Sequence, residues 1–230
     1  MAYFEAINEN GIYQVEDGSV TMGLVQVSTP SFGAGTRFKS ATVTYNGNTN
    51  SNPVVVIYVP ASTNGSMALS KTAKSGNNWT FYFDIACDLS SSFGSLTGIR
   101  VLIFDRPAPL ANGAGVEFYD VNGKLQWSSA KKSLKIVGLQ GSVFPTGTYG
   151  ALVGGAEYIT QVDYEQLTTM DWQVSTTKIL EGPVAASTGI DLLESRYEYS
   201  ENIGGQGGSN TVTTTGVTQP IYVVDIAGYI

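Results

Sequence analysis

The chain has 230 residues, of which 13% are charged and 11% aromatic, and its 12 Lys and Arg stand against 19 Asp and Glu for a net charge of −7. Such a chain has too many aromatics for a disordered one, and its negative balance repels the phosphate backbone of a nucleic acid. Histidine is absent and Cys87 is the only cysteine, which excludes Ser-His-Asp and Cys-His catalysis, Cys/His zinc sites and an intramolecular disulfide.

Strand-forming runs follow one another between turn residues and no segment sustains a helical stripe, so the chain reads as all-β with little helix. Phe4 to Val15 forms a first hairpin around Asn10-Gly11, and Asp17-Gly18 turns the chain into a strand over Val20 to Val27. Thr42 to Tyr45 meets Asn46-Gly47, a second hairpin signal. Val54 to Val59 (V-V-V-I-Y-V) is a continuous apolar run, as expected of a strand buried on both faces. Val54 to Pro60 is the longest such run and is too short to cross a bilayer. From Trp79 to Cys87 every second residue is apolar, which makes Cys87 a small core residue and not a nucleophile.

Ile99 to Phe104 closes the first half, and the Pro, Gly and Ala between Asp105 and Gly115 read as a linker. The second half restarts at Val116 and continues through Leu134 to Val137, Tyr149 to Val153, Tyr158 to Tyr164 and Trp172 to Leu180. Lys131, Lys132 and Lys135 read as a lysine-protected strand edge. Asp191 to Tyr199 fits a short helix and, nearly as well, a strand. Ile203 to Thr218 is low in complexity, a long loop or a poorly specified strand pair, and Ile221 to Ile226 is the closing strand. Met1 to Asn10 carries neither the basic nor the apolar region of a signal peptide, so synthesis and folding in a cytoplasm are expected.

Phe4 to Val15 (F-E-A-I-N-E-N-G-I-Y-Q-V) returns as Val116 to Trp127 (V-E-F-Y-D-V-N-G-K-L-Q-W), pairing Glu5 with Glu117, Asn10-Gly11 with Asn122-Gly123 and Gln14 with Gln126. Asn-Gly between strand-like runs suits a type I′ turn, in which both central residues have φ > 0. The expectation is two related β-sandwich-like domains, residues 1–110 and 111–230, the second opening with the repeated hairpin.

Little of the chemistry survives scrutiny. Ser128 and Ser129 head S-x-x-K matches with Lys131 and Lys132, but that motif needs a serine opening a helix and the surroundings read as strand and turn. Asp163, Glu165 and Glu194 are the carboxylates a glycoside hydrolase would use, if two of them faced each other at about 5 to 10 Å. Asp120 to Gly123 lacks the remaining ligands of a calcium loop, and Gly204 to Gly208 lacks the Gly-Lys-Ser/Thr ending of a phosphate loop. No catalytic, cofactor or metal residue is therefore assigned. Tyr158, Tyr164, Trp172, Tyr197 and Tyr199 remain as candidate surface contacts, because Tyr and Trp serve both protein interfaces and sugar-stacking sites.

The Met1-Ala2-Tyr3 start, F-E-A-I-N-E-N-G at the head and G-V-E-F-Y-D-V-N-G-K-L-Q-W-S-S at Gly115 to Ser129 resemble small virion-associated proteins of tailed bacteriophages. Members of that group carry a G-L-x-V-Y-N-x-x-G-x-x-x-F-D-S hairpin and strands like Val54 to Pro60 and Ile99 to Asp105. The N-terminal copy departs from the pattern, with Glu16-Asp17 in place of the small-residue ending. The resemblance implies a structural component near the tail tip, baseplate or fibre attachment, located in the virion tail and made in the host cytoplasm. Its implied partners are other virion tail proteins, further copies of itself, and a host-surface glycan or protein, with no nucleic acid and no membrane insertion. The alternative is a carbohydrate-binding protein or an acidic-residue glycoside hydrolase.

Overall fold

The computed structural model describes residues 5–7, 13–16, 22–47, 51–87, 92–106, 116–119, 122–123, 125–129, 132–152, 157–166, 171–204, 211–215 and 221–230. In chain order its strands are β1 (Glu5–Ile7), β2 (Tyr13–Glu16), β3 (Gly23–Ser28), β4 (Phe38–Asn46), β5 (Val54–Tyr58), β6 (Ser66–Ser75), β7 (Asn78–Ala86), β8 (Arg100–Asp105) and β9 (Glu117–Tyr119). There follow β10 (Leu125–Ser128), β11 (Ile136–Leu139), β12 (Tyr149–Leu152), β13 (Glu157–Gln166), β14 (Asp171–Ala186), β15 (Gly189–Gly204), β16 (Thr211–Thr215) and β17 (Tyr222–Asp225). The protein is all-β, and among the described residues the one helical element is a 3-10 turn at Ala61–Thr63.

A six-stranded antiparallel sheet runs β11-β17-β12-β5-β8-β3, and a three-stranded sheet runs β4-β7-β6. The apolar run of β5 is explained by its place in the middle of the larger sheet. Val55 and Ile57 join Phe81, Phe83 and Ile85 of β7 in the core between the sheets. Val56, from the opposite face, packs with Leu102, Phe104, Val224 and Ile226 in a second cluster beneath Tyr229. Each large apolar side chain so buried contributes about 1.5 to 3 kcal/mol. Alternation in β7 works as read: Phe81, Phe83 and Ile85 are buried, while Thr80, Tyr82 and Asp84 are half-buried on the outer face. Cys87 ends that series, fully buried.

Long-range pairing rearranges several local expectations. Asn46-Gly47 does not join β4 to β5, because β4 pairs with β7 and the two strands enter different sheets. The tight hairpin is instead β6–β7, where Ser75 faces Asn78 across Gly76-Asn77 and Gly76 takes φ +59, the glycine-first pattern of a type II′ turn. Strands from either side of the Asp105 to Gly115 segment share one sheet and one core, since β12 pairs with β5 and Tyr149, Ala151 and Val223 join the same cluster as Val55 and Phe83. Asp191 to Tyr199 lies in strand β15, not in a helix. From the low-complexity stretch comes β16, while residues 205–210 and 216–220 lie outside the described residues, as do Asp17-Gly18 and most of the linker.

Two polar ties close the ends of the sandwich. Asp105, only 2% exposed, accepts hydrogen bonds from the Tyr45 hydroxyl at 2.9 Å, the Arg106 amide at 2.8 Å and the Asn52 amide at 3.2 Å. Burial, together with the Asp105 carboxylate, pushes the Tyr45 hydroxyl up to about 12. At the edge strand β11, the neighbouring Lys135 bridges to Asp225 at 2.7 Å, and the Lys132 ammonium donates to the Gly228 carbonyl and sits 5.3 Å from the Tyr229 ring. Burial pushes the Asp225 carboxyl up, but hydrogen bonds from Lys135 and the Ala227 amide outweigh it and hold the group below its usual range.

Candidate functional site

The repeated hairpins pair alike. Glu5 faces Glu16, Ala6 faces Val15 and Ile7 faces Tyr13; in the second copy Glu117 faces Ser128, Phe118 faces Trp127 and Tyr119 faces Leu125. These are the same three pairs displaced by the repeat interval, and in both copies the register slips by one residue, leaving Gln14 and Gln126 as the extra residue of a bulge. In the second copy five residues, 120–124, separate the paired Tyr119 and Leu125; of these Asn122 and Gly123 are described, with Gly123 at φ +75, in the left-handed region that favours glycine. Asn10 and Gly11 lie outside the described residues. The Phe118 and Trp127 rings lie 5.3 Å apart, and the Trp127 indole donates to Ser133 Oγ at 3.2 Å, tying this hairpin to the segment before β11.

The other candidates converge on one element. Tyr158 and Tyr164 fall in β13, Trp172 in β14, and Tyr197 and Tyr199 in β15, all in the four-stranded sheet β15-β14-β13-β16. Register decides which of them share a face, because directly paired residues lie on the same side of a sheet and sides alternate along each strand. Tyr158 pairs with Leu180, Tyr164 with Val174, Gln166 with Trp172, Lys178 with Tyr197 and Thr176 with Tyr199. All five aromatic positions therefore occupy one face, together with Val162, Val174 and Ile203. Tyr197 and Tyr199 are about 7 Å apart along their strand, and Trp172 is about 8 Å from Tyr164 on the neighbouring strand.

Among the described residues, this sheet meets the sandwich at one end. Gly182 of β14 lies so close to β6 that a Cβ there would come within 2.7 Å of the Met67 carbonyl oxygen. Ser66 Oγ donates to the Leu180 carbonyl at 3.2 Å and the Ala185 amide to the Val59 carbonyl at 2.8 Å. Leu180, buried against Ala68, Ala86 and Phe38, belongs to the aromatic face, so the body covers that face at its root. Beyond Leu180, β14 continues for roughly 30 Å at about 3.4 Å per residue. There Val162 and Val174 are half-buried and join none of the three hydrophobic clusters.

The opposite face is acidic. Glu157, Asp163, Glu165, Glu181, Glu194 and Glu198 fall on it by register, against Arg196 alone as a cation. Asp163 and Glu194 are separated along the register by about 20 Å, beyond the 5 to 10 Å at which two carboxyls can flank a glycosidic bond. Asp163 and Glu165 sit side by side on one strand and do not face each other across a cleft. Ser128 ends strand β10 and Ser129 follows in a turn, where its hydroxyl accepts from the Val116 amide at 2.9 Å, so neither opens a helix. Among the described residues no group of three His, Cys, Asp or Glu is placed to hold a metal ion. No described helix is long and apolar enough to cross a membrane.

A concavity of about 360 Å³ lies on the outer face of the three-stranded sheet, lined by Ser31, Ser40, Thr42, Lys71, Tyr82 and Asp84. Beside it Ser70 bulges out of β6, its hydroxyl donating to the Tyr82 carbonyl at 3.1 Å. No protein-family model, curated protein or solved structure matches the chain.

Proposed function

We propose that this protein is a structural, non-enzymatic component of a bacteriophage tail, near the tail tip, baseplate or fibre attachment, that works by protein–protein assembly. The observation that carries the reading is the aromatic face of the four-stranded sheet. Five Tyr and Trp positions share one side of a sheet that is rooted at one end, and aromatics of this kind are what protein interfaces concentrate. The paired hairpins add support, since β1–β2 and β9–β10, drawn from the two segments that resemble virion proteins, share one register and one bulge.

The test is electron microscopy of purified phage particles decorated with an antibody against this chain. Label at the tail end is the expected result; bare intact particles would remove the reading. A carbohydrate-binding role is favoured by the groove around Tyr82, where hydroxyls of Ser40 and Thr42, the Asp84 carboxylate and an aromatic ring meet in about 360 Å³. Tyr82→Ala abolishing glycan-array binding would support that second role.

A further inference from the structure

We infer that the aromatic face of the β13–β16 sheet is covered by the same face of a second copy of this chain, making a two-layered sandwich across a two-fold axis. The inference rests on the reading that the protein acts by assembly, and it names the partner of that surface.

The first argument is charge. An isologous contact sets every residue against its own kind, so a face can pair with itself only if its charges are few or arranged to complement one another. On the stretch of the aromatic face beyond Leu180 the charged positions of β13, β14 and β15 are Lys178 and Glu201, a balanced pair, while Asp191 lies on the root side of Leu180, opposite Val184. The opposite face, with its carboxylates against Arg196, repels a copy of itself. Lys178 lies one register step to one side of the Thr176 row and Glu201 one step to the other, since Lys178 pairs with Tyr197, Thr176 with Tyr199 and Val174 with Glu201. A two-fold axis through the Thr176 row and across the strands brings the Lys178 position of each copy beside the Glu201 position of the other.

The second argument is area. Beyond the Leu180 row, the eight paired positions of β13 from Ile159 to Gln166 span about 27 Å, and three strands with part of β16 alongside span about 15 to 19 Å, giving about 400 to 500 Å² per copy and about 800 to 1,000 Å² for a pair. That approaches the lower bound of a specific interface, before the side chains' own relief is counted. A third argument is continuity. The body already covers this face at Leu180 and Gly182, so a second copy extends a buried surface and does not begin a new one.

The choice between a second copy and a glycan follows from the same map. A stacking site for one sugar chain needs aromatics in a line, whereas Tyr158, Tyr197, Tyr199, Tyr164 and Trp172 spread over three strands, as a packed layer does.

Sedimentation equilibrium of the full chain tests the inference, using two substitutions of neighbouring threonines on opposite faces. Thr176→Glu puts a carboxylate at the proposed axis of the aromatic face, and Thr177→Glu makes the same change on the acidic face. Both carry the same loss of strand propensity, and circular dichroism confirms that each folds. Expected are a self-associating wild type, at least tenfold weaker association for T176E, and association within about twofold of wild type for T177E. A wild type that stays monomeric at about 100 µM overturns the inference, as does equal weakening by both variants or by neither. Tail labelling of the particles is read independently, so a monomer found at the tail end would end this inference and leave the tail assignment standing.

Discussion

Replacing Gly182 by Ala should unseat the long β14–β15 hairpin from the sandwich, and the geometry sets both the sign and the size. An added Cβ would lie 2.7 Å from the Met67 carbonyl oxygen and 3.0 Å from its carbon and nitrogen, all backbone atoms that cannot swing away. Gly182 is not among the positive-φ glycines, so the alanine meets no conformational strain of its own. Overpacking of this kind costs about 1 to 3 kcal/mol. Full undocking sets the ceiling: four hydrogen bonds, Ser66 to Leu180, Ala185 to Val59, Phe144 to Thr188 and Gly147 to Ser187, at about 1 kcal/mol each, plus about 2 kcal/mol each for re-exposing Leu180 and Ile190. The expected loss is therefore about 1 to 3 kcal/mol, well under that ceiling of about 8 kcal/mol. Urea denaturation checks it through a lowered midpoint at unchanged slope. Gly76 is the comparator, with nothing within 4 Å of its Cβ position but φ +59. There Ala costs about 1 to 2 kcal/mol by left-handed strain and Asn recovers part of it, whereas Asn at 182 is worse than Ala. Gly182→Ala within about 0.5 kcal/mol of wild type, or rescued by Asn, would refute the close-approach reasoning.

Gly123→Val should cost more than about 1 kcal/mol in the same assay, because φ +75 is a region β-branched residues resist and the surrounding space is open, leaving backbone strain as the sole cause. Tyr45→Phe should destabilise by about 1.5 to 3 kcal/mol, the range for a hydrogen bond to a charged group, since Asp105 keeps its burial and loses one donor. The Tyr45 hydroxyl titrates near 12 in the fold against 10.0 ordinarily, so its contribution is complete below pH 10 and is lost as pH rises toward 12. Wild type should show that alkaline loss and Tyr45→Phe should lack it, read as urea midpoints between pH 9 and 12. Asp225, held below its usual range, works in the other direction: the Lys135 bridge contributes fully above the ordinary carboxylate range and is lost as pH falls below that range, through the lowered value of the folded state. Asp225→Asn should flatten that acid limb while costing at most about 1 kcal/mol at neutral pH, as exposed bridges do.

Much of the local structure is legible in the residues themselves. The V-V-V-I-Y-V run announces a strand with a core on each side, and the alternation of Trp79 to Cys87 announces β7, because burial acts residue by residue. The repeat reveals a shared hairpin down to the bulged Gln14 and Gln126. Long-range pairing is what local pattern does not hold. Asn46-Gly47 carries a hairpin signal that β7 overrides by pairing with β4 along its whole length. Asp191 to Tyr199 has the composition of a helix, and sixteen residues of pairing with β14 make it a strand. The halves on either side of the Pro-rich segment merge because β12 adds beside β5.

The aromatic surface shows the same division. Its five members are recognisable by type, but placing them on one face depends on register carried through the β13–β14 and β14–β15 pairings, and a shift of one residue would scatter them across both sides. Most of the sheet's acidic positions follow the same alternation to the other face, Glu201 and Asp191 being the exceptions, which turns a diffuse negative charge into a two-sided sheet.

The most direct measurement of that two-sided sheet is the maleimide labelling rate of Thr176→Cys and Thr177→Cys, adjacent residues on opposite faces, in the assembled protein and after dilution. Cys87 is fully buried and leaves little background. The account predicts that Thr176→Cys is protected at least tenfold relative to Thr177→Cys in the assembly and that dilution removes the protection. Equal rates in the assembled protein would contradict it.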